Sequence, residues 1–286
     1  MSFQWWSALL SLYLCALASA SAGEVRVCQQ DPSKYAYRIE LANLILARTD
    51  ERYGERRIVS HAHADPAQDR CLALLADGLV DLAYVPPSTA RLRDFAVIPF
   101  DIHSGMLGYR LLLINRADAP RFAKVDSLDD LRRFTGGFGS QWSDFPLFAR
   151  NRLPVVGVAQ ADNLLAMLNN RRFDYYHRGL HEAWQEVAAH RDDYPLLMVE
   201  PHLALAYSQP VYFTFNRADA PLKQRFEEGL AQIRRDGSYR ELFLRHFGAL
   251  VRQSRLSERR LIRLQSEVPE GLPEADSGFW LQPSAE

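Results

Sequence analysis

Short β-type runs alternate with helical patterns along most of this 286-residue chain. The stretch Glu24 to Cys28 is typical of a strand, and the apolar stripe within Tyr37 to Thr49 indicates a helix. The run Val80 to Val85 is a further strand, which ends at two prolines. Strands that alternate with helices favour βαβ units with right-handed crossovers and mainly parallel sheets. The order of these patterns therefore predicts an α/β fold.

Long β-type runs separate two such alternating blocks. The first is Met106 to Asn115, and the second comprises Ala204 to Tyr207 and Val211 to Phe215. The helices that follow, up to Phe247, are expected to return to the first block. Two crossings between the blocks would form a two-strand hinge. We predict lobe 1 at residues 23–110 with 209–250, and lobe 2 at 111–208.

The two ends of the chain are expected to lie outside these lobes. Residues 1–22 contain an apolar run too short to span a bilayer, followed by A-x-A sequences such as Ala20-Ser21-Ala22. This predicts a cleaved signal peptide, with an uncleaved membrane anchor as the alternative. Residues 251–286 are expected to form a C-terminal strap, with a short helix over 257–264 and an extended or loosely held segment beyond Pro269.

The composition says more about the possible binding partners of the protein than about its fold. The net charge of -1 gives no reason to expect nucleic acid or an anionic membrane as a partner. Beyond the signal peptide the chain has two cysteines, Cys28 and Cys71, which could pair in an oxidising compartment. The sequence does not show whether their Cα atoms are close enough, so the disulfide stays open.

Four motifs, in order along the chain, carry a family resemblance. They are Leu72 to Asp81, Ser88-Thr89-Ala90-Arg91, Asn170 to Asp174 and Asp236 to Tyr239. The region 24–247 therefore resembles the type II periplasmic solute-binding proteins, specifically the family that serves polar amino-acid uptake. The segments 108–114 and 172–179 look like an uncharacterised subgroup of binding-protein-like sequences.

The resemblance implies a two-lobed α/β fold, with a mainly parallel sheet flanked by helices in each lobe. Such a protein closes on a small polar solute, an amino acid or a related carboxylate. It implies a periplasmic monomer without a cofactor, with an inner-membrane ABC permease as a candidate partner.

Lobe 1 offers candidate contacts for a carboxylate. Arg91 follows a strand at the carboxyl end of the predicted sheet, where α/β folds bind ligands, and a guanidinium grips a carboxylate through two hydrogen bonds. Ser88 stands three residues earlier, where the resembled family has Thr or Ser. Tyr35 and Tyr37 stand where that family has an aromatic residue that stacks on the ligand. The alternatives are an arginine that caps a turn and a Tyr37 that packs in the core.

Lobe 2 offers Trp142 and Asp144, which lie in a loop that leads into a helix. The N–H groups at a helix start favour an anionic group, although Asp144 could simply cap the helix. The resemblance places an acid that receives the ligand's ammonium five residues beyond Asp174. That position is Gly179 here.

The missing acid leaves several interpretations open. Glu182 or Asp144 could substitute for it, or the ligand could carry two acidic groups that Arg91 and Arg178 clamp. Arg178 could instead pair with Glu182, four residues further along one helical face. His177, next to Arg178, is a further candidate contact with the ligand.

Neither a metal site nor catalysis is expected. His61 and His63 share a strand face, but no further ligand follows at a metal-binding spacing, so a solvated strand end is the better interpretation. No GxSxG elbow, Walker loop or HExxH motif occurs. A cleft enzyme such as a dehydratase would need His177 or Asp144 as its general acid or base. A sensory or accessory binding module, docking through the strap, is the other alternative.

Overall fold

The computed structural model describes residues 23–59, 66–142, 144–275 and 277–281. The strands in these ranges are β1 Gly23–Arg26, β2 Arg56–Val59, β3 Ala83–Val85, β4 Ala96–Val97, β5 Tyr109–Asn115, β6 Gly136–Gly139, β7 Val155–Val158, β8 Tyr175–Gly179, β9 Leu197–Val199, β10 Leu203–Ala206, β11 Tyr212–Phe215 and β12 Arg260–Arg263. The helices are α1 Pro32–Ala47, α2 Asp50–Tyr53, α3 Gln68–Ala76, α4 Thr89–Asp94, α5 Ala119–Phe122, α6 Leu128–Leu131, α7 Pro146–Arg150, α8 Leu164–Asn169, α9 Leu180–Ala189, α10 Ala220–Arg235, α11 Ser238–Ser254 and α12 Gly278–Leu281.

The sheet of lobe 1 is completed by a strand that comes late in the chain. β1 and β2 pair in parallel, and a bridge between Val27 and Leu82 joins them to β3. β11 lies between β3 and β4 and runs antiparallel to both. Helices α1, α10 and α11 pack against one another in this lobe. After the second crossing, β11 thus lies beside strands of the first block.

The sheet of lobe 2 has the strand order β12-β10-β5-β8-β6-β7, and β9 also pairs with β5. β6 runs parallel to β7 and β8, and β10 runs parallel to β12. β5 runs antiparallel to β8, β9 and β10 because it enters from the hinge. The α/β class is confirmed, and in both lobes the sheet is mixed.

The crossings between the sheets follow β4 and β10. β5 begins at Tyr109, two residues before the expected start of lobe 2, and the gap between β10 and β11 contains the other expected boundary. Asp101 in the first crossing accepts hydrogen bonds from the backbone N–H groups of His103, Gly105 and Val211, at 3.1, 2.7 and 3.1 Å. One carboxylate thus ties both crossings together. The lobe boundaries themselves stay a prediction.

The C-terminal strap departs from expectation. After α11 a short 3₁₀ turn, Leu256–Glu258, leads into β12, so the helix expected over 257–264 is wrong. β12 adds to the open edge of β10, with Leu203 opposite Arg260, and it buries Ile262. Pairing with a neighbouring strand has overridden a composition that is equally compatible with a helix.

Beyond β12 the strap returns to lobe 1. Trp280 of α12 is buried and donates its indole N–H to the carbonyl of Ser104, at 2.8 Å. Its ring lies 5.3 Å from that of Tyr109 and 6.1 Å from that of Phe243. The strap is therefore anchored at both ends, by β12 in one lobe and by Trp280 against the other.

The two cysteines form a disulfide, with sulfurs 2.04 Å apart and Cα atoms 5.6 Å apart. It joins Cys28, just after β1, to Cys71 in α3. The pairing that the sequence left open is therefore present. The predicted signal peptide at 1–22 and the pair His61 and His63 lie outside the described residues.

Candidate ligand-binding cleft

A cavity of about 570 Å³ opens between the two lobes. Its lobe 1 wall comes from the start of α3 and from residues 86–95 around α4, and its lobe 2 wall from Asp144 and α7. Residues 207–210 of the second crossing and residues 266–268 of the strap complete it. Of the predicted site residues, the cavity brings together Ser88, Arg91 and Asp144.

Local sequence explains how Arg91 reaches this wall. Pro86 and Pro87 end β3, since proline cannot donate to a strand ladder. Ser88 then caps α4, because its Oγ accepts the backbone N–H of Arg91 at 3.2 Å. The cap turns the Arg91 side chain back onto the proline segment, where its Nη1 donates to the carbonyl of Pro86 at 2.8 Å.

The guanidinium of Arg91 is held but not neutralised. Its Nη2 lies 3.4 Å from Oδ1 of Asp69, and that carboxylate is 95% exposed whereas the Arg91 side chain is 19% exposed. An exposed partner at this distance contributes little, because water screens the pair. The positive charge of Arg91 therefore remains available to an anionic group in the cavity.

Asp144 supplies a carboxylate from the lobe 2 side. Its Oδ2 accepts the hydroxyl of Tyr207 at 2.8 Å and lies 3.5 Å from Nη2 of Arg110. Tyr207 in turn accepts the Nε–H of Arg110 at 2.8 Å. Burial raises the pKa of Tyr207 well above its usual range, so the phenol keeps its proton and donates it to Asp144. Asp144 is 18% exposed, which leaves it accessible from the cavity.

Glu182, the other candidate replacement for the missing acid, already has hydrogen-bond and ion-pair partners within the protein. It accepts the backbone N–H of Gly179 at 2.8 Å and lies 2.9 Å from Nη2 of Arg178. Burial acts to raise the pKa of Glu182, but Arg178 and neighbouring positive groups outweigh it and hold the pKa below its usual range. Glu182 does not line the cavity. Asp144 is therefore the better placed of the two.

Arg178 forms the expected salt bridge with Glu182 and a second one with Glu186, at 2.5 Å, but it does so from the end of β8 and not from the face of a helix. Its guanidinium also lies over the rings of Trp142 and Tyr176, at 5.5 and 5.3 Å from their centroids. Neither Arg178 nor Trp142 lines the cavity that holds Arg91. The structure thus does not bring together the two arginines of the clamp interpretation.

His177 lies in the core of lobe 2. Its ring stacks on Phe138 and Phe148, with centroids 4.4 and 5.4 Å away. Neither ring nitrogen has a hydrogen-bond partner in the part of the chain that the structure describes. Burial, followed by the charge of Arg110, holds the pKa of His177 well below its usual range. A buried neutral imidazole offers no contact to a ligand in this cavity.

The two tyrosines of the first helix also lie away from this cavity. Tyr37 is buried, donates its hydroxyl to the carbonyl of Ile102 at 2.6 Å and packs against Phe247. This is the core role that the sequence left open. The half-buried ring of Tyr35 lies beneath the guanidinium of Arg38, 5.0 Å from its centroid.

Sequence reasoning missed the contribution of the hinge and the strap. Tyr207 and Gln209 line the cavity from the second crossing, and Glu267 reaches it from the strap and pairs with Arg150 of α7 at 2.7 Å. The crossing itself was recognisable as a long β-type run. Nothing local in the sequence marks Glu267, because its position depends on how β12 is paired.

Two general features of the described ranges bear on the site. They contain no group of three or more His, Cys, Asp or Glu side chains arranged to hold a metal ion. Nor does any helix within them have the length and apolar character needed to cross a membrane.

Known structures share this architecture. A histidine kinase sensor domain with similarity to periplasmic binding proteins is 19% identical and covers 77% of this chain and 93% of its own, with a TM-score of 0.50. An ancestral arginine-binding protein bound to glutamine is 14% identical, covers 80% and 99%, and has a TM-score of 0.52. The probable amino-acid ABC transporter extracellular-binding protein YtmK from Bacillus subtilis is 15% identical, covers 79% and 97%, and has a TM-score of 0.54.

The fold is that of a type II periplasmic binding protein. Its structural neighbours are mostly amino-acid-binding proteins, at low sequence identity. No protein-family model and no curated protein sequence matches the chain. The type II fold places the inter-lobe cavity at the position where two-lobed proteins commonly bind a ligand.

Proposed function

We propose that this protein binds a small polar solute with a carboxylate group, an amino acid or a related acid, in the inter-lobe cavity. The observation that carries the proposal is Arg91, a largely buried guanidinium on the cavity wall whose nearest carboxylate is exposed and 3.4 Å away. A ligand carboxylate would replace Asp69 as its partner and gain two charge-assisted hydrogen bonds. Among the residues that line this cavity, Arg150 is the other cation, and Glu267 already pairs with it.

Asp144 supports the amino-acid form of the proposal. It provides a carboxylate on the lobe 2 wall, while Arg91 provides a guanidinium on the lobe 1 wall. An α-amino acid carries the complementary pair of charges on one carbon. Binding such a ligand across the cavity would favour the closed arrangement of the lobes, because only that arrangement satisfies both ends.

We further propose that the protein acts as a periplasmic monomer, secreted by residues 1–22, and delivers its solute to an inner-membrane ABC permease. The disulfide between Cys28 and Cys71 supports an oxidising compartment. The neighbours are binding proteins, and we propose binding rather than catalysis.

A sensory or accessory module is the second candidate, and the strap favours it. Residues 266–268 line the cavity, so a bound solute would touch the strap directly and change the surface it presents. A membrane partner whose binding requires the chain beyond Arg252 would support this candidate. A partner that binds equally without the strap would support solute delivery instead.

The first experiment is a thermal-shift screen of the mature protein against amino acids and dicarboxylates, followed by calorimetry with any hit. A ligand that binds only the folded state raises the melting temperature by mass action. We expect Arg91→Ala to weaken the affinity for that ligand at least tenfold, about 1.4 kcal/mol, without unfolding the protein.

Arg93→Ala is the matched control. Arg93 lies on the same helix, is exposed and pairs with Asp94, and it does not line the cavity. The Arg93→Ala variant should bind the ligand from the screen with the same affinity as the unmodified protein. Equal affinity in Arg91→Ala, or no stabilisation by any member of the screen, would overturn the proposed carboxylate site.

A further inference from the structure

A second cavity, of about 400 Å³, lies between α1, residues 103–107 of the first crossing, α9 and α11. It shares no lining residue with the first cavity. Its walls thus come from both lobes and from the hinge. The polar side chains that line it are basic or neutral, with no carboxylate among them: Lys34, Arg38, His103, His181, Gln185 and His246.

Three of these basic groups differ in whether they already have a carboxylate as an ion-pair partner. Lys34 lies 3.3 Å from Asp31, and His246 lies 2.6 Å from Glu40. No carboxylate of the described chain lies within 4.0 Å of the Arg38 guanidinium, which donates its Nε–H to His103 at 3.5 Å. Arg38 is therefore the one of these three groups without an ion-pair partner in the described chain.

Aromatic rings, rather than acids, surround Arg38. The guanidinium lies 5.0 Å from the ring centroid of Tyr35 and 5.9 Å from that of Tyr84. Burial lowers its pKa, although an arginine still keeps its charge at neutral pH. Asp101 on the hinge acts on Arg38 electrostatically but forms no ion pair with it, and its carboxylate accepts three backbone N–H groups. A half-buried cation with no acid of its own is a strong attractor for an external anion.

His103 holds the Arg38 side chain at the wall of the same cavity. It is 4% exposed, and its Nε2 lies 3.5 Å from the Nε–H of Arg38, which can only donate. Nε2 therefore accepts, the ring proton sits on Nδ1, and Nδ1 has no partner among the described residues. Burial, followed by the charge of Arg38, holds the pKa of His103 well below its usual range, which keeps the ring neutral. The neutral ring therefore adds no charge to the cavity, and the Nη groups of Arg38 are the donors that match an oxyanion.

The rest of the lining is apolar. Met106 and Leu107 come from the hinge, and Phe247 and Leu250 come from α11. Exposed side chains of α9, His181 and Gln185, stand at the mouth. A cavity of this volume exceeds what a bare oxyanion fills, so its lining suits a charged group carried on an apolar body.

We propose that this cavity is a second binding site, for a small organic anion. The carboxylate of the ligand contacts Arg38, with His181 at the rim, and its apolar body packs on Met106, Leu107, Phe247 and Leu250. Because both lobes and the hinge contribute, an occupant also contacts the segments that move when the lobes close. The site is independent of Arg91 and of the solute proposed above.

Calorimetry at constant ionic strength tests the site with three probes. Benzoate carries both the charge and the ring, acetate carries only the charge, and benzamide carries only the ring. Constant salt is needed because exposed cations attract any anion non-specifically. We expect benzoate to bind at least tenfold more tightly than either of the other two. Benzamide binding as tightly as benzoate, or benzoate showing no binding, would overturn the proposal.

Substitutions in the two cavities show which of them binds benzoate. We expect Arg38→Gln to weaken benzoate binding at least tenfold, whereas Arg48→Gln, just after the end of the same helix and paired with Asp236, leaves it unchanged. If Arg38→Gln does not fold, His181→Gln at the exposed rim replaces it, with an expected weakening of at least threefold. Benzoate binding that is lost in Arg91→Ala but kept in the variants of the second cavity would place the anion in the first cavity. That result would contradict this inference.

Discussion

Two arginines that sequence reasoning treated alike have different surroundings. Arg178 is bound by two carboxylates, at 2.9 and 2.5 Å, and is covered by aromatic rings. Arg91 is bound by a backbone carbonyl and faces a cavity. A ligand would have to displace two ion pairs to reach Arg178, whereas it displaces one screened contact at Arg91. The difference in available charge makes Arg91 the residue on which the proposed binding depends.

The surroundings of His177 lead to a prediction about acid stability. The native protein keeps this ring neutral, whereas the unfolded chain binds a proton near pH 6.5. As the pH falls below that value the unfolded state takes up the proton, so stability is full above about pH 6.5 and declines below it. The contribution of one such residue is about 1.4 kcal/mol per pH unit.

The variant His177→Phe should lack the pH dependence that His177 gives to the unfolding free energy. We expect the unfolding free energy of the variant at pH 8 to lie within about 1 kcal/mol of the original, because the ring sits among phenylalanines and hydrogen-bonds to nothing in the described chain. Between pH 6.5 and 5 its stability should fall less steeply. Urea unfolding at several pH values measures both slopes. The exposed His202 provides the control, and identical slopes for His177→Phe and His202→Phe would contradict the prediction.

The sequence could name His177, Arg178 and Tyr37 but not which way they face. Alternate residues of a strand point to opposite sides, and which side meets the core depends on the helices packed there. For Arg91 the prolines and the Ser88 cap are local, so its place beside the cavity was predictable. For Tyr37 the core role depends on α11, about two hundred residues further along, which no local pattern reveals.

At the scale of elements, the contact between α1 and α10 is unusually close. Gly229 of α10 lies against Ile45, and a Cβ added to it would stand 2.5 Å from the carbonyl oxygen of Ile45. Arg225, one turn earlier, donates to the carbonyl of Leu46 at 3.0 Å and to Oδ1 of Asp50 at 2.7 Å. The absence of a side chain at Gly229 therefore sets the distance between these two helices.

Gly229→Ala should destabilise the protein although alanine is the better helix former. We expect a loss of about 1–3 kcal/mol in the unfolding free energy, because a backbone atom that cannot move aside blocks the added methyl group. Gly248→Ala in α11 is the matched control, since its Cβ would meet nothing closer than 3.5 Å. That variant should gain about 0.5–1 kcal/mol. Denaturant unfolding compares them, and a stabilised Gly229→Ala would contradict the packing argument.

The order of strands and helices was predictable because each carries its own hydrophobic period. β12 was mispredicted, because Arg260-Leu261-Ile262-Arg263 is too short to distinguish a strand from a helix. The short elements β4, α4 and α12 were not predicted. The conformation of β12 is decided by the unpaired edge of β10, which only the folded sheet provides. The antiparallel entry of β5 and β11 likewise follows from the hinge, not from their own residues.

Across the whole molecule the strap acts as a third connection between lobes. β12 fixes it to lobe 2, and in between Asn151 donates to the carbonyl of Gln265 and accepts its N–H, at 2.9 and 2.8 Å. Trp280 then fixes it against lobe 1. A lobe movement that follows solute binding must carry this segment along or detach it.

Trp280→Ala tests the anchor. We expect the loss of this buried side chain to cost about 3 kcal/mol and to raise hydrogen exchange over residues 264–281. Glu274→Ala, an exposed position in the same segment, should change stability by less than about 0.5 kcal/mol. Unchanged exchange in Trp280→Ala would mean that the strap is held by other contacts.

The position of these contacts along the chain also governs when the protein can finish folding. The hydrogen bond from Trp280 to Ser104 joins residues 176 positions apart, and the one from Val211 to Asp101 joins residues 110 positions apart. Contacts between residues so far apart in sequence form slowly. The chain loses the entropy of closing a long loop before the contact stabilises it. A chain that emerges amino end first therefore holds both sheets incomplete until β11 and then β12 have emerged. This topology therefore prolongs the lifetime of the extended, unlocked form of the newly made chain.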